Sequence, residues 1–255
     1  ALLLGVLGIR RRRDGGLSIW WAVAVGVALG LAVASKLTAV LSLAAVAGWG
    51  LLVALLAVYR WGGMPGSGWR AGLASAWTAG RGWALAIAIA GGVFVVSNPH
   101  LYPDPVLHTM HFFGHRLEQS EAAQVRRPEV ATASIRERTG FVLDGSLARG
   151  TLTGSRGFPI EAALAATGTI ALAMTTWREW RRGGVAASGL VLVTGVAYFV
   201  GTVAFLPAMW GRYLLPTLLI GVLLSGFGAG AVAHQIAAIA ARIKRREPYP
   251  ERVAL

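Results

Sequence analysis

The segment Leu37–Tyr59, with the sequence LTAVLSLAAVAGWGLLVALLAVY, decides the fold because it contains no charged side chain. An α-helix of ~20 apolar residues is long enough to cross the ~30 Å hydrocarbon core of a bilayer. Lipid offers the backbone no hydrogen bonds, so such a segment must pair its N–H and C=O groups internally, as a helix does. Leu37–Tyr59 is therefore predicted to be a transmembrane helix.

Further apolar stretches of this kind occur along the chain. They are Leu17–Ser35, Trp83–Val96, Ile160–Trp177, Val185–Trp210 and Tyr213–Ala241, of which Trp83–Val96 is short unless it continues through Asn98. The 255 residues are 55% hydrophobic and only 14% charged, with a mean hydropathy of +0.60, which is unusual for a soluble domain. We predict an all-α fold, a polytopic transmembrane helix bundle with about six full spans in one domain over residues 1–255.

The net charge of +13 is distributed unevenly. Fifteen basic residues lie in four clusters with only four acids, whereas Asn98–Glu161 carries seven arginines and seven acids. The clusters are Arg10–Arg13; Arg60, Arg70 and Arg81; Arg178, Arg181 and Arg182; and Arg242, Lys244, Arg245, Arg246 and Arg252. Because basic residues collect on cytoplasmic loops, we expect residues 98–159 to form a large outer loop of a multi-pass protein in a bacterial inner membrane. Topology accounts for the charge, so no nucleic-acid partner is expected.

The charge pattern also places the remaining segments. Trp61–Gly82 contains Gly, Pro and Ser and is predicted to be a cytoplasmic loop between two spans. Ala1–Ile9 is apolar but too short to span, and it lacks the basic region of a signal peptide. We expect it to be the last part of a truncated first helix, in a chain that is the C-terminal portion of a longer protein. Cysteine is absent, which excludes disulfides and thiolate metal sites.

Two isolated cations, Lys36 and Arg212, lie between apolar segments on the predicted outer side. A cation at that depth is costly unless it reaches water or an anion. A lysine can extend its ammonium group to the interface, and an arginine can anchor a helix end there. Either residue can instead bind a lipid phosphate, which arginine contacts with a two-pronged fork. The residues alone leave both interpretations open.

The outer loop begins with a proline-rich exit, Asn98–Pro105, followed by a predicted helix from Pro105 to about Gln124. His108, His111 and His115 lie on one face of that helix, at spacings that a transition metal could use. No carboxylate is placed to complete such a site, and the neighbouring Phe112-Phe113 pair is typical of a helix lying on a membrane surface. We therefore predict no metal site. Glu161, at the start of the stretch Ile160–Trp177, is assigned to the end of the loop, and the other acids lie outside the apolar stretches, so no carboxylate is expected within a span.

Three short motifs together resemble the later part of a GT-C membrane glycosyltransferase. They are Gly-Leu-Ala-Val-Ala-Ser-Lys-Leu-Thr at 30–38, Asn-Pro-His-Leu-Tyr-Pro-Asp-Pro at 98–105 and Arg-Tyr-Leu-Leu-Pro at 212–216. The chain is most similar to bacterial relatives of the dolichyl-phosphate-mannose:protein mannosyltransferases, the phospholipid-carrier-dependent glycosyltransferases. That resemblance implies transfer of a sugar from a polyprenyl-phosphate carrier to an acceptor, as in protein glycosylation at the cell envelope, on the outer face of the membrane.

The resemblance also implies roles for individual residues. Lys36 and Arg212 would bind the lipid phosphate, while Tyr213 and His100 would line the same cavity. The family's catalytic aspartate lies in a first outer loop that would precede Ala1, so no catalytic residue is expected in this chain, Asp104 is not a replacement, and the fragment alone is expected to be inactive. The membrane lipid, the sugar donor and an unidentified acceptor are the expected partners, and no cofactor is predicted beyond the lipid-linked donor.

Two other classes of function fit the same residues. A transporter or flippase subunit for a lipid-linked sugar would use the phosphate-binding cations without an aspartate base, and a structural membrane component needs only the topology. An inverted repeat of the helices would favour the transporter, and we find no internal repeat.

The predicted sidedness can be tested with single cysteines, because the chain has none of its own. In intact cells, an impermeant thiol reagent is expected to label Ser134→Cys and to leave Ser67→Cys unlabelled. Labelling of Ser67→Cys without Ser134→Cys would overturn the orientation.

Overall fold

The computed structural model describes residues 2–9, 15–35, 39–62, 69–102, 104–126, 134–148, 160–185, 187–205 and 214–246. Over these residues the protein is helical and contains no strand. The helices are α1 Leu2–Ile9, α2 Ile19–Ser35, α3 Val40–Gly62, α4 Trp69–Val96, α5 Pro105–Arg126, α6 Ile135–Leu143, α7 Ile160–Arg181, α8 Ala187–Phe205 and α9 Leu215–Arg246. A short 3-10 helix, Pro99–Leu101, follows α4, and a π-helical turn, Asp144–Ala148, follows α6. The predicted all-α fold is confirmed.

In the described part of the chain, five helices are long and apolar enough to cross a membrane: α3, α4, α7, α8 and α9. The remaining predicted span is α2, an apolar helix of 17 residues, which extends about 26 Å at 1.5 Å per residue. The chain is thus a multi-pass membrane protein, with five long spans and one shorter apolar helix in place of six equal ones.

One predicted loop is wrong. Trp61–Gly82 was expected to be a cytoplasmic loop, but α3 continues to Gly62 and α4 begins at Trp69. The third span is therefore extended at its N-terminal end, and it contains 28 residues. Gly72 and Gly80 lie inside α4, where a Cβ would meet Val58 and Ala54 of α3 at ordinary contact distance. Tertiary contact overrides the poor intrinsic helix propensity of glycine.

Helix α4 is the centre of the first half of the bundle and packs against both α2 and α3. Its contact with α2 runs along small residues: a Cβ at Gly26 would lie 2.6 Å from the carbonyl oxygen of Ala86, and one at Gly30 would lie 2.7 Å from that of Ala90. The residue numbers of the contacts increase together on the two helices, from Gly26 and Ala86 to Gly30 and Ala90, so α2 and α4 run parallel. Close approach through small residues is the usual basis of helix association in membranes, where lipid is as apolar as the side chains.

The second half of the bundle is the pair α7 and α9. A Cβ on Gly228 would overlap the carbonyl oxygen of Leu164, and a Cβ on Gly168 would overlap that of Leu224. The two backbones therefore touch directly. Helix α8 joins the halves, because it packs against α3 and α7 and also contacts α1.

Contacts between helix ends define two ends of the bundle. At one end, the Arg60 guanidinium donates to the carbonyl oxygens of Gly183 at 2.6 Å and Gly184 at 3.0 Å, which ties the end of α3 to the α7–α8 turn. At the other end, the hydroxyls of Ser42 and Tyr198 hydrogen-bond, which ties the start of α3 to the last turns of α8. We call these the basic end and the loop end. The end of α3 and the end of α7 lie at the basic end, and the start of α3 and the end of α8 lie at the loop end. This agrees with the up-and-down alternation of helices that the arginine clusters predict.

The α7–α9 contact generates a prediction about stability. Gly228→Ala is expected to lower the apparent unfolding temperature in detergent, because relieving the overlap with Leu164 costs about 1–3 kcal/mol. Gly230→Ala is the matched control on the same helix, since a Cβ there meets nothing within 4 Å. It should be neutral or slightly stabilising, because alanine favours a helix over glycine by ~1 kcal/mol. Equal effects of the two substitutions would contradict the close backbone contact.

Candidate functional site

The first feature of the loop end is the exit of the chain from α4, which contains His100. Asn98 ends the helix, and its side-chain amide donates to the carbonyl oxygen of Phe94 at 2.6 Å. The 3-10 helix Pro99–Leu101 then turns the chain sideways, and the Leu101 side chain is completely buried. The proline-rich exit therefore begins with a turn over Asn98–Leu101, which the buried Leu101 side chain holds against the bundle.

Asp104 has a structural role at this turn. Its carboxylate accepts a hydrogen bond from the backbone N–H of Leu107 at 3.0 Å, which satisfies one of the free amides in the first turn of α5. Pro105 follows as the first helical residue, where its missing N–H costs nothing.

The predicted helix from Pro105 is confirmed as α5, which extends to Arg126. Val106, Leu107 and Met110 are exposed apolar side chains on its first turns. A helix with such a face, lying beside the end of a membrane bundle, is suited to the interface between water and lipid.

The histidines of this region do not converge. The His100 side chain is exposed and its ring lies 5.8 Å from that of Phe112. His108 Nδ1 lies 3.1 Å from the carbonyl oxygen of Leu101, to which it must donate, and His115 contacts Gln119 and Glu118. His111 is exposed. Among the described residues no group of three His, Cys, Asp or Glu side chains could hold a metal ion.

A second part of the outer loop folds back onto the bundle as α6. Ser134 caps the helix, since its hydroxyl accepts from the N–H of Glu137 at 3.2 Å. The Arg138 guanidinium donates to the carbonyl oxygen of Ala204 at 2.9 Å, near the C-terminus of α8. Val142 is fully buried against Val203 and against Leu214, just before α9. Helix α6 therefore covers the end of α8 and the approach to α9.

The π-helical turn continues this cover toward α9. The Ser146 and Thr217 hydroxyls hydrogen-bond at 2.9 Å, and a Cβ at Gly145 would collide with the side chain of Leu214. The start of α9 is thus fixed by the outer loop as well as by its neighbouring helices.

Three of the predicted site residues, Lys36, Arg212 and Tyr213, lie outside the described residues. The described residues that flank them belong to the loop end. Ser35 and Ala39 connect α2 to α3 beside position 36, and Leu214 precedes α9 beside position 212. His100 stands in the turn after α4, at the same end of the bundle.

Glu161 is a residue whose importance the sequence analysis missed. It belongs to α7 and is only 6% exposed, the one buried ionisable side chain among the residues described. Its backbone carbonyl accepts from the Ser225 hydroxyl of α9 at 3.1 Å. The expectation that no carboxylate lies within a span is therefore wrong. The sequence signal was the position of Glu161 directly after Ile160, at the start of an apolar stretch. At such a position, the sequence does not distinguish a carboxylate in the loop from one in the helix.

Comparison with known proteins adds no relative: no family model matches the chain, and no curated protein or solved structure is significantly similar to it. The resemblance to membrane glycosyltransferases accordingly depends on the three short motifs alone.

The α6 contact predicts a local effect. Arg138→Ala removes the bond to Ala204, which is partly exposed and is worth about 1 kcal/mol. The amides of α6 are then expected to exchange with deuterium about fivefold faster, because the helix detaches more often. Arg136→Ala is the control, since Arg136 is exposed on the same helix. Unchanged exchange in Arg138→Ala would show that the helix is held by Val142 alone.

Proposed function

We propose that this chain is part of an integral membrane glycosyltransferase that uses a sugar carried on a polyprenyl phosphate. The carrying observation is the grouping of helix ends. The C-terminus of α2, the exit of α4 and the described start of α9 lie at one end of the bundle, and each adjoins one of the three family-like motifs. These segments are far apart in sequence, and a shared site requires them on one side.

The chemistry of the proposed site is electrostatic. Lys36 and Arg212 would contact the phosphate of the carrier at headgroup depth, where a cation is stable only beside an anion or water. When the sugar leaves, negative charge builds up on that phosphate, and fixed donors aimed at it lower the barrier. His100, exposed in the turn after α4, is placed at the same end, and Tyr213 would complete the lining.

The base of the reaction is assigned outside this chain. Asp104 is engaged as a helix cap, and Glu161 is buried at the start of α7. A family-like aspartate in a preceding outer loop would supply the carboxylate. The transfer would take place on the outer face of a bacterial inner membrane, with residues 98–159 outside.

Glu161 favours one alternative, a coupled transporter for a lipid-linked sugar. Buried carboxylates inside membrane bundles commonly belong to proton or ion pathways. In such a carrier Glu161 would take part in the coupling, whereas in a transferase its role would be confined to the α7–α9 packing.

The proposed function is tested on the natural full-length protein with a synthetic polyprenyl-phosphate sugar. Lys36→Ala and Arg212→Ala are each expected to lower transfer about ten- to a hundredfold, since one charged contact to phosphate is worth roughly 1.5–3 kcal/mol. Arg212→Lys should recover only part of the rate, because an ammonium group cannot replace the fork. Arg178→Ala, at the basic end, is the matched control and should transfer at the wild-type rate.

Two outcomes decide against the transferase. Wild-type transfer in both cation variants, with normal membrane insertion, would reduce Lys36 and Arg212 to interface anchors. Movement of the lipid-linked sugar across vesicles without transfer, driven by a proton gradient and lost in Glu161→Gln, would establish the transporter instead.

A further inference from the structure

We propose that a groove between α3 and α4, facing lipid near the basic end, binds one anionic glycerophospholipid, with the lipid phosphate on Arg81. This site is separate from the proposed sugar-donor site, which lies at the loop end, so the two proposals can fail independently.

The groove has a volume of about 400 Å³ and runs along both helices. Small residues form its floor, and larger apolar side chains form its walls. The floor consists of Ala47, Gly50, Ala54, Ala76, Gly80 and Ala84, and the walls include Leu51, Leu73, Trp77 and Ile87. From Leu73 to Ile87 the groove extends about 21 Å along α4. That length exceeds half of the ~30 Å hydrocarbon core, so it can hold an acyl chain of one leaflet.

The position of Arg81 along α4 places its charge at headgroup depth. If Val96, just before the polar Asn98, marks the edge of the hydrocarbon, a ~30 Å core ends about 20 residues earlier, near Trp77. Arg81 then lies one helical turn inside that edge. Side chains of a helix lean toward its N-terminus, which for α4 is the basic end. The guanidinium therefore extends toward Trp77, an exposed tryptophan at the depth that this residue prefers.

Arg81 is the only charged residue lining the groove. Arg60 donates to carbonyls of the α7–α8 turn, and Arg70 stacks on Trp69, whereas Arg81 has no hydrogen bond or ion pair to the described residues. A guanidinium beside hydrocarbon needs an anion or water, and phosphate suits its fork geometry. The apolar groove next to it suits the chain that a lipid phosphate carries.

A second copy of this protein is a poorer occupant. The carboxylate nearest this depth among the described residues is Glu179, near the end of α7, and it already pairs with Arg182 at 3.8 Å. Among its described residues, another copy would thus offer Arg81 no unpaired carboxylate at this depth. A phospholipid brings the required charge and an apolar chain in one molecule, and the arginine-rich end faces the leaflet that holds anionic lipid.

The test measures binding of phosphatidylglycerol with a photoactivatable acyl chain to the purified chain in nanodiscs. Phosphatidylglycerol is expected to cross-link to peptides containing Leu51 or Ile87 and to saturate at one molecule per chain. Arg81→Ala should weaken that binding about tenfold, and Arg81→Lys should weaken it less. Arg70→Ala is the matched control on the same helix, with an expected change of less than twofold.

A second variant tests the groove itself. Ala84→Trp fills the floor from an exposed position and should abolish the acyl-chain cross-links, while Leu85→Trp, which points to lipid outside the groove, should preserve them. Unfolding temperatures of all variants within a few degrees of wild type are required for the comparison. Equal losses in Arg70→Ala, equal cross-linking by phosphatidylcholine, preference for a polyprenyl phosphate, or cross-links between two copies through Leu51 would each overturn the proposal.

Discussion

Hydrocarbon neither pairs backbone polar groups nor drives apolar helices together, and this constraint shapes the rest of the structure. The first condition makes every span a helix. The second means that helices associate only where their backbones can approach closely, which is why glycine occupies the crossing points. Gly26 and Gly30 bring α2 to α4, and Gly168 and Gly228 bring α7 to α9. The α2–α4 and α7–α9 contacts therefore help to fix where the loops at the ends of the bundle lie.

Arginine has two distinct roles in this bundle. Collectively, the arginines of the basic end set the charge asymmetry on which the topology depends. Individually, Arg60 and Arg138 donate to carbonyl groups near the C-termini of α7 and α8, at opposite ends of the molecule. Those carbonyls have no partner within their own helices. The same residue type therefore carries the charge asymmetry and closes helix ends, and Arg81 contributes only to the first of these.

Periodicity and charge were sufficient to predict the helical class, the spans and the grouping of their ends. They failed for Trp69–Gly82, because a helical segment with several glycines and an arginine resembles a loop in sequence. They also missed α6, although Ser134 and Glu137 form a capping pair at the expected spacing. Of the candidate site, the end of the helix before Asn98-Pro99 was predictable from the prolines, whereas no local pattern reveals the burial of Glu161.

The composition of α7 has a consequence for biosynthesis. It is the least apolar of the five long helices, and its second residue is the buried Glu161. The backbone carbonyl of Glu161 accepts from Ser225 of α9, a helix made more than thirty residues later. A carboxylate raises the free energy of moving a lone helix from the translocon into lipid. Four threonine hydroxyls on α7 donate to backbone carbonyls one turn earlier, which reduces the cost of placing them in lipid. They belong to Thr167, Thr169, Thr175 and Thr176. Helix α7 is therefore best retained at the translocon until α9 emerges, so that the two helices enter the membrane as a pair.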